Sequence, residues 1–544
     1  MIICRSKRMV ARAAAALLLV AIAVPMQGRA RQEVASEGGG GGGHGPWSPA
    51  PVTATADGVW SWFGGARAVQ SGDSTYLGWV TTQGDIMVGQ INRATGASTS
   101  ARLYYHLEVD DHTHPALLLH PDGRLSAFFT KHNSFPLMYR TTVNPGDITD
   151  WGPLQLYTGD VRFTYPYPVY LSAEQRYYLF WRDWDWGISY ATSSDGVAWS
   201  AKQPFIRTPQ NNPYLKIATN GVDTIALAFT DSHPEIYAMN SVYFAYYRNE
   251  AFVRTNGSPI KPVTDGPLTP AEADTVHDAA VTGRRGWIWD MTLDRLGWPV
   301  LAYATFPSAT DHRYHYARWN GVGWTQRELV AAGGSIDESG DDPYYSGGIA
   351  IDRGNPSLVY LSRQVNGAFE LERWATADSG ATWIFDALTS GSPEKNIRPV
   401  VPEGHWPGNV SVLWLRGPYI SFLQYATRIV FLNGNQAPLV SAGADQTISS
   451  PSQTVSLAGA VVDDGYPTSR LTTWWTQMSG PADARFANRF APGTSVTLPR
   501  EGVYVLRLIA DDGQDFTFQD VALTRAQSSA RQLPTPLPPI ILDE

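Results

Sequence analysis

The residues best suited to proton-transfer chemistry fall in one stretch, between positions 104 and 182. Asp110-Asp111-His112-Thr113-His114-Pro115 comes first, and Lys131-His132-Asn133 follows, with His132 twenty residues after His112. Then come Phe163-Thr164-Tyr165-Pro166-Tyr167-Pro168 and Tyr178-Leu179-Phe180-Trp181-Arg182. Each group falls at the end of a strand-like run or in the loop after it. Imidazole, phenol and guanidinium are the groups that β-elimination on a sugar acid requires. An Arg or a protonated His neutralises the carboxylate beside the weakly acidic carbon. A His or a deprotonated Tyr takes the proton, and a Tyr or His protonates the leaving oxygen. Plainer roles stand beside these. Asp110 and Asp111 can bond turn backbones, and Tyr165 and Tyr167 can be core aromatics. Arg182 can pair with Asp183 or Asp185.

A second polar group is His277-Asp278, Trp287-Ile288-Trp289-Asp290 and Asp311-His312-Arg313-Tyr314-His315-Tyr316. Strand alternation puts His312, Tyr314 and Tyr316 on one face and Arg313 and His315 on the other. The group is expected to line the same funnel or to hold a structural metal, although it matches no specific ligand spacing. Asn396-Ile397-Arg398-Pro399 and Leu415-Arg416-Gly417 add Arg residues where a sulfate or carboxylate could bind.

Elements able to bring these groups together must be short strands. The chain has 12% aromatic and only 17% charged residues, with 50 Gly and 38 Pro, a balance that favours an all-β fold. Strands are expected at 75–80, 125–130, 177–182, 224–230, 299–303, 357–361 and 412–415, many after turns such as Asp122-Gly123. About 380 residues of such spacing suit a β-propeller of roughly seven blades, whose loops converge on one funnel. Thr376-Ala377-Asp378-Ser379-Gly380-Ala381-Thr382-Trp383 fits the Asp-box turn, and Ser193-Ser194-Asp195-Gly196-Val197-Ala198-Trp199 is a shorter version. Both are expected to be structural, with the carboxylate on backbone N–H groups and Trp between sheets.

The ends of the chain differ from its middle. Residues 1–30 form a secretory signal pattern: Arg5, Lys7, Arg8 and Arg12, then the apolar run Ala13 to Val24, then Gly28-Arg29-Ala30. Residues 31–51 form a Gly-rich linker, 52–433 the catalytic propeller, 434–526 a PKD or immunoglobulin-like sandwich, and 527–544 a disordered Ser/Pro-rich tail. Secretion places the mature protein outside the cell or in the periplasm. The only cysteine, Cys4, lies in the leader, which excludes thiolate chemistry from the rest. Beyond the leader stand 36 basic and 50 acidic residues, a net charge of −14 and a poor generic match for nucleic acid. No segment is long enough to favour a membrane span.

The cluster resembles the BNR-repeat propeller lyases that act on ulvan. The likeness rests on Asp110-Asp111-His112-x-x-Pro115, Pro121-Asp122-Gly123-Arg124, His132-Asn133, Thr164-Tyr165-Pro166-x-Pro168, Leu179-Phe180-Trp181-Arg182, Asp311-His312-Arg313-Tyr314 and Asn396-x-Arg398-Pro399. It implies a seven-bladed propeller and eliminative cleavage of an acidic, sulfated polysaccharide. It also implies no cofactor for the chemistry, beside a structural calcium or zinc ion whose ligands are not transferred. His112 would be an acid/base, His132 the second funnel histidine, Tyr165 the partner acid/base and Arg182 the group on the uronate. Tyr167 stands about as near Arg182 as Tyr165 does, and His114 can stand in for His112. His114, Lys131, Asn133, Tyr167, Arg313 and Arg398 are the candidate substrate-binding residues. A sialidase-like hydrolase and a non-catalytic glycan-binding propeller are the alternatives.

Overall fold

The computed structural model describes residues 51–92, 97–158, 162–404, 410–434, 438–449, 453–463, 471–512 and 516–526. The leader, the Gly-rich linker up to residue 50, Asn435 to Ala437, Asp464-Gly465, Gly513 and the tail from residue 527 lie outside the described residues. What is described is almost wholly β: one four-residue helix, Ala279–Thr282, and the 3-10 turns Asp111–Thr113 and Val263–Asp265 are its helical elements. No helix among the described residues is long and apolar enough to cross a membrane.

Between residues 52 and 433 the strands form successive antiparallel sheets, in chain order and without interleaving until the last. The first runs Ala68–Ser71, Ser74–Val80, Ile86–Asn92, Ser98–Tyr104. The second runs Ala116–Leu119, Leu125–Phe129, Leu137–Thr141, Gln155–Tyr157, and the third Thr164–Leu171, Arg176–Arg182, Ile188–Ser193, Gln203–Ile206. The fourth begins Leu215–Thr219, Thr224–Thr230, Val242–Arg248 and adds three further strands. The fifth spans Arg285–Leu293 to Trp324–Gly333 and the sixth Ile349–Ile351 to Ile384–Ala387. The last holds Asn396–Val400, Val410–Arg416 and Arg428–Asn433, and is completed by Val52–Thr55 from the start of the described chain. Pairing first strand to last removes a free sheet edge.

The seven strands expected from sequence each fall on the second strand of one of these sheets. The reason is burial: Ser74–Val80 and Thr224–Thr230 are buried at every position. A strand covered on both faces has no polar side, so its sequence is mostly apolar with no charged residue. First strands of neighbouring sheets pack on one another: Ala116–Leu119 on Ala68–Ser71 and on Thr164–Leu171, and Arg285–Leu293 on Leu215–Thr219 and on Ile349–Ile351. Loops at one end of successive sheets are therefore brought close.

Both Asp boxes close as expected. Asp378 accepts from Thr382 N at 2.8 Å, Gly380 takes φ +94°, and Trp383 packs edge-on to Tyr316 of the preceding sheet at 5.1 Å. Asp195 accepts from Val197 N and Ala198 N at 2.8 Å each, and Trp199 meets Phe128 of the sheet before it. The C-terminal strands build a separate core around Trp475, Tyr504, Leu506, Leu508, Val521 and Leu523.

Candidate active site

His112 sits in the 3-10 turn Asp111–Thr113, between the first and second sheets. Asp110 caps that turn: its Oδ1 accepts the His112 backbone N–H at 2.8 Å and faces His112 Nδ1 at 2.5 Å. His132 lies in the loop after Leu125–Phe129, and its Nδ1 meets the other Asp110 oxygen at 2.9 Å. One carboxylate thus holds two imidazoles, which stack at 4.0 Å with 8° between their planes. Phe422, on the hairpin inserted in the last sheet, stands perpendicular to both rings, and its carbonyl accepts Asp111 N at 2.9 Å.

Tyr165 reaches this pair through a break in its strand. Thr164 pairs with Arg182 and Tyr167 with Phe180, so Tyr165 and Pro166 form a bulge, and Tyr165 takes φ +59°. A non-glycine residue there is strained, and such strain persists where surrounding packing over-determines it. Here Gly64 and Gly65 lie against the bulge, with Gly65 N donating to Pro166 O at 2.8 Å. The Tyr165 ring stands 5.4 Å from that of His112 and 5.6 Å from Phe63.

Arg182 ends the second strand of the third sheet. Its guanidinium carbon lies 4.9 Å from the Tyr165 ring, 5.2 Å from Tyr214 and 5.5 Å from Trp186. It is only 6% exposed, yet it makes no ion pair among the described residues, and its Nη1 has no hydrogen-bond partner. The carboxylates that could have taken it are engaged elsewhere: Asp183 with Lys202 at 2.8 Å and Asp185 with Arg207 at 2.8 Å. A buried guanidinium that hydrogen-bonds the Tyr214 side chain but meets no carboxylate keeps donor capacity for an anion.

Protonation differs between neighbours. Burial opposes charge on His112, but the Asp110 and Asp111 carboxylates outweigh it and raise its pKa above the ordinary 6.5. Burial and the adjacent His112 lower His132 to about 4, so at neutral pH it is uncharged. Burial drives the Tyr165 phenol well above 10, so it keeps its proton. Asp110 is held below the usual carboxylate range: burial raises it, and the two histidines more than compensate.

Asp110, His112 and His132 are also the one metal-type cluster among the described residues. They do not fit an ion as they stand. Atoms sharing a zinc at about 2.0–2.2 Å lie more than about 3 Å apart, whereas here nitrogen and oxygen sit 2.5 and 2.9 Å apart, as across shared protons.

Residues 74–332 match the family model described as BNR repeat-containing family member, and residues 442–524 match a PKD domain model. The first match falls within the series of seven sheets and the second on the C-terminal strands. Among solved structures it is similar to the PL25 ulvan lyase, at 14% identity over 71% of this chain and 96% of that one, TM-score 0.57. The same enzyme bound to GlcA(1-4)Rha3S gives 0.56 with the same identity and coverage. The polysaccharide lyase Uly1 matches at 14% over 70% of this chain and 98% of that one, TM-score 0.48. At this identity the likeness is one of fold, an all-β propeller-like architecture.

Within the BNR-repeat region the four residues named for catalysis, His112, His132, Tyr165 and Arg182, come together. The six named for binding do not all join them. Lys131 is exposed and Asn133 half-buried on the His132 loop. His114 is buried, with Nδ1 on Asp111 O at 2.9 Å and Nε2 against Gly64; burial and Arg67 lower its pKa well below 6.5. His112, not His114, stacks on His132. Tyr167 turns away from Arg182: its hydroxyl donates to Ile217 O at 2.7 Å and it lines a separate cavity of about 400 Å³. Arg313 is tied to Asp311 and Glu328 on a sheet face away from the cluster. Arg398 is 1% exposed and spent on Asp111 Oδ2, Trp60 O and the Tyr419 hydroxyl. It anchors the His112 turn.

The second polar group is structural as well. His312 lies between Ser346 Oγ at 2.9 Å and Pro343 O at 3.0 Å, His315 bonds Thr305, and His277 bonds Arg284 O. Trp287 and Trp289 pack with Trp62 and Phe63 beneath the site. Sequence reasoning missed Tyr214, His233 and Phe422. Tyr214 shares Arg182 with Tyr165, and His233, lowered by burial to about 3, packs against Tyr214 at 5.6 Å. Asn212-Pro213-Tyr214 carried no signal beyond an aromatic after a turn.

Proposed function

We propose that this protein is a polysaccharide lyase, secreted through its N-terminal leader, that cleaves a uronate-containing, sulfated, ulvan-like glycan by β-elimination. The observation that carries the proposal is Arg182, a buried guanidinium with a free donor and three aromatic neighbours beside two histidines and a phenol. A uronate carboxylate is the partner this cage lacks. The complex of the similar ulvan lyase with a glucuronate–sulfated rhamnose unit supports that substrate class. We further assign the seven sheets between residues 52 and 433 to seven propeller blades and residues 434–526 to an immunoglobulin-like module.

In this mechanism Arg182 and protonated His112 hold the carboxylate and take up the negative charge that develops on it. Neutral His132 removes the C5 proton. The electron pair forms the C4–C5 double bond as the C4–O bond breaks, and the Tyr165 phenol gives its proton to the departing oxygen. The phenol is restored from water or from His132. Electrons balance without a redox partner, and the charge on the carboxylate is met by side chains, so the chemistry calls for no cofactor.

The test is incubation with ulvan, with other uronate polysaccharides and with sialosides, following short-wavelength ultraviolet absorbance and reducing ends. Elimination gives an absorbing unsaturated uronate at the new non-reducing end. New reducing ends without that absorbance, or binding without cleavage, would sink the lyase assignment.

A further inference from the structure

Asp110 is 3% exposed, out of reach of a polysaccharide, yet its carboxylate receives three N–H groups from the two residues at the centre of the site. We propose that Asp110 is a positioning residue that locks His112 and His132 in the same Nδ1–H form, leaving the Nε2 edge of both rings for the substrate. This rests on the lyase proposal, and it assigns the acid–base division within that site.

An ionised carboxylate only accepts hydrogen bonds. A ring nitrogen 2.5 or 2.9 Å from it must therefore carry hydrogen, which fixes Nδ1–H on both rings. Nε2 lies on the opposite edge of each imidazole. The two rings then differ in one respect. His112 faces a second carboxylate, Asp111 Oδ1, at 3.2 Å, and that oxygen has no other partner. His132 faces Asp110 alone and is more exposed, at 27% for its side chain. Two cations stacked at 4.0 Å repel, so one proton is shared unequally between the Nε2 edges and settles on His112. His132 is left with a bare Nε2, the form a base requires.

Three further hydrogen bonds hold the device in place. Arg398 and Tyr419 both bond Asp111 Oδ2, which keeps Asp111 oriented without drawing on the oxygen that faces His112. His132 is fixed from its own backbone, whose N–H donates to Glu108 Oε2 at 2.8 Å. Asp110 is thus the one carboxylate that bonds both rings, and it also caps the turn that carries His112.

Full-length protein labelled with nitrogen-15 at histidine gives the decisive readout, with His132→Gln used to assign its signals. The wild type at neutral pH is expected to show His132 protonated at Nδ1 and bare at Nε2. In Asp110→Asn the amide accepts from one ring and donates to the other, so one imidazole switches to Nε2–H. With it kcat should fall about 10²- to 10⁴-fold while KM stays within about threefold, the loss expected when a general base is misassigned. His132 carrying hydrogen at Nε2 in the wild type overturns the proposal, whether or not the variant folds. So does an Asp110→Asn protein with unchanged tautomers and unchanged kcat. Absence of unsaturated product from the wild type on every uronate polysaccharide counts against the lyase assignment instead, and the histidine spectra still decide the tautomer.

Discussion

Two buried arginines, 182 and 398, should respond to the same substitution in opposite ways. Arg398 is paired: Asp111, Tyr419 and the Trp60 carbonyl accept from its two Nη groups. Arg398→Gln leaves buried Asp111 Oδ2 without its cation, with His112 facing only the other oxygen, and breaking a buried pair costs about 3–5 kcal/mol. Arg182 has no carboxylate to orphan. Arg182→Gln gives up attraction to three rings, together about 2 kcal/mol, and relieves the desolvation of an unpaired cation, which is of the same order or larger. Its stability should therefore stay within about 1 kcal/mol of the parent. Activity follows the other pattern. Removing the charge that meets the developing carbanion should cost about 10²–10³ in kcat, or about 2.7–4 kcal/mol of barrier. Urea unfolding and the ultraviolet assay on one substrate measure both quantities for each variant. An Arg182→Gln protein within about threefold of parental kcat, or destabilised by more than about 3 kcal/mol, would show that Arg182 is an ordinary structural cation and refute the reasoning.

Tyr165→Phe keeps the ring against Phe63 and His112 and removes only the acid, so kcat should fall about 10²- to 10⁴-fold with the melting temperature unchanged; wild-type rates would remove Tyr165 from proton transfer. Tyr167→Phe should leave kcat alone and cost about 0.5–1.5 kcal/mol for the lost bond to Ile217 O, measured by the same two assays. The rate should be bell-shaped in pH, lost on the acid side as His132 gains its proton near 4 and on the alkaline side as His112 loses one above 6.5; a profile flat through both limbs opposes the assignment. His112 also adds stability that is complete below 6.5 and fades as pH rises through its raised value, so His112→Gln should flatten the alkaline fall of the urea midpoint.

Legibility of the fold followed burial. The second strands are buried over most of their length, so they are rich in apolar residues and stand out from the sequence. Outer strands such as Ile384–Ala387 are exposed at every position and carry no pattern. Thr164–Leu171 has two prolines and a bulge, which hid a strand behind what looked like a polar loop. Asp boxes were readable because all their bonds are local: Asp378 and Thr382 are four residues apart.

The site was legible only in residue types. His112, His132, Tyr165 and Arg182 announced themselves as a set because loops of consecutive sheets are close in sequence as well as in space. Arg313 and Arg398 looked like equally good anion binders, and what disqualifies them is their partners. Asp311 lies two residues from Arg313 and could have been suspected; Asp111 lies 287 residues from Arg398, across the closure of the sheet series. The chemistry of a buried arginine is set by whether a carboxylate meets it, and strand order decides that meeting. Asp183 stands next to Arg182 in sequence, yet the strand Ile188–Ser193 and the chain beyond it bring Lys202 and Ser189 to that carboxylate. Arg182 is left without a carboxylate among three aromatic rings, and the desolvation cost of that buried cation is one that an incoming anion would offset.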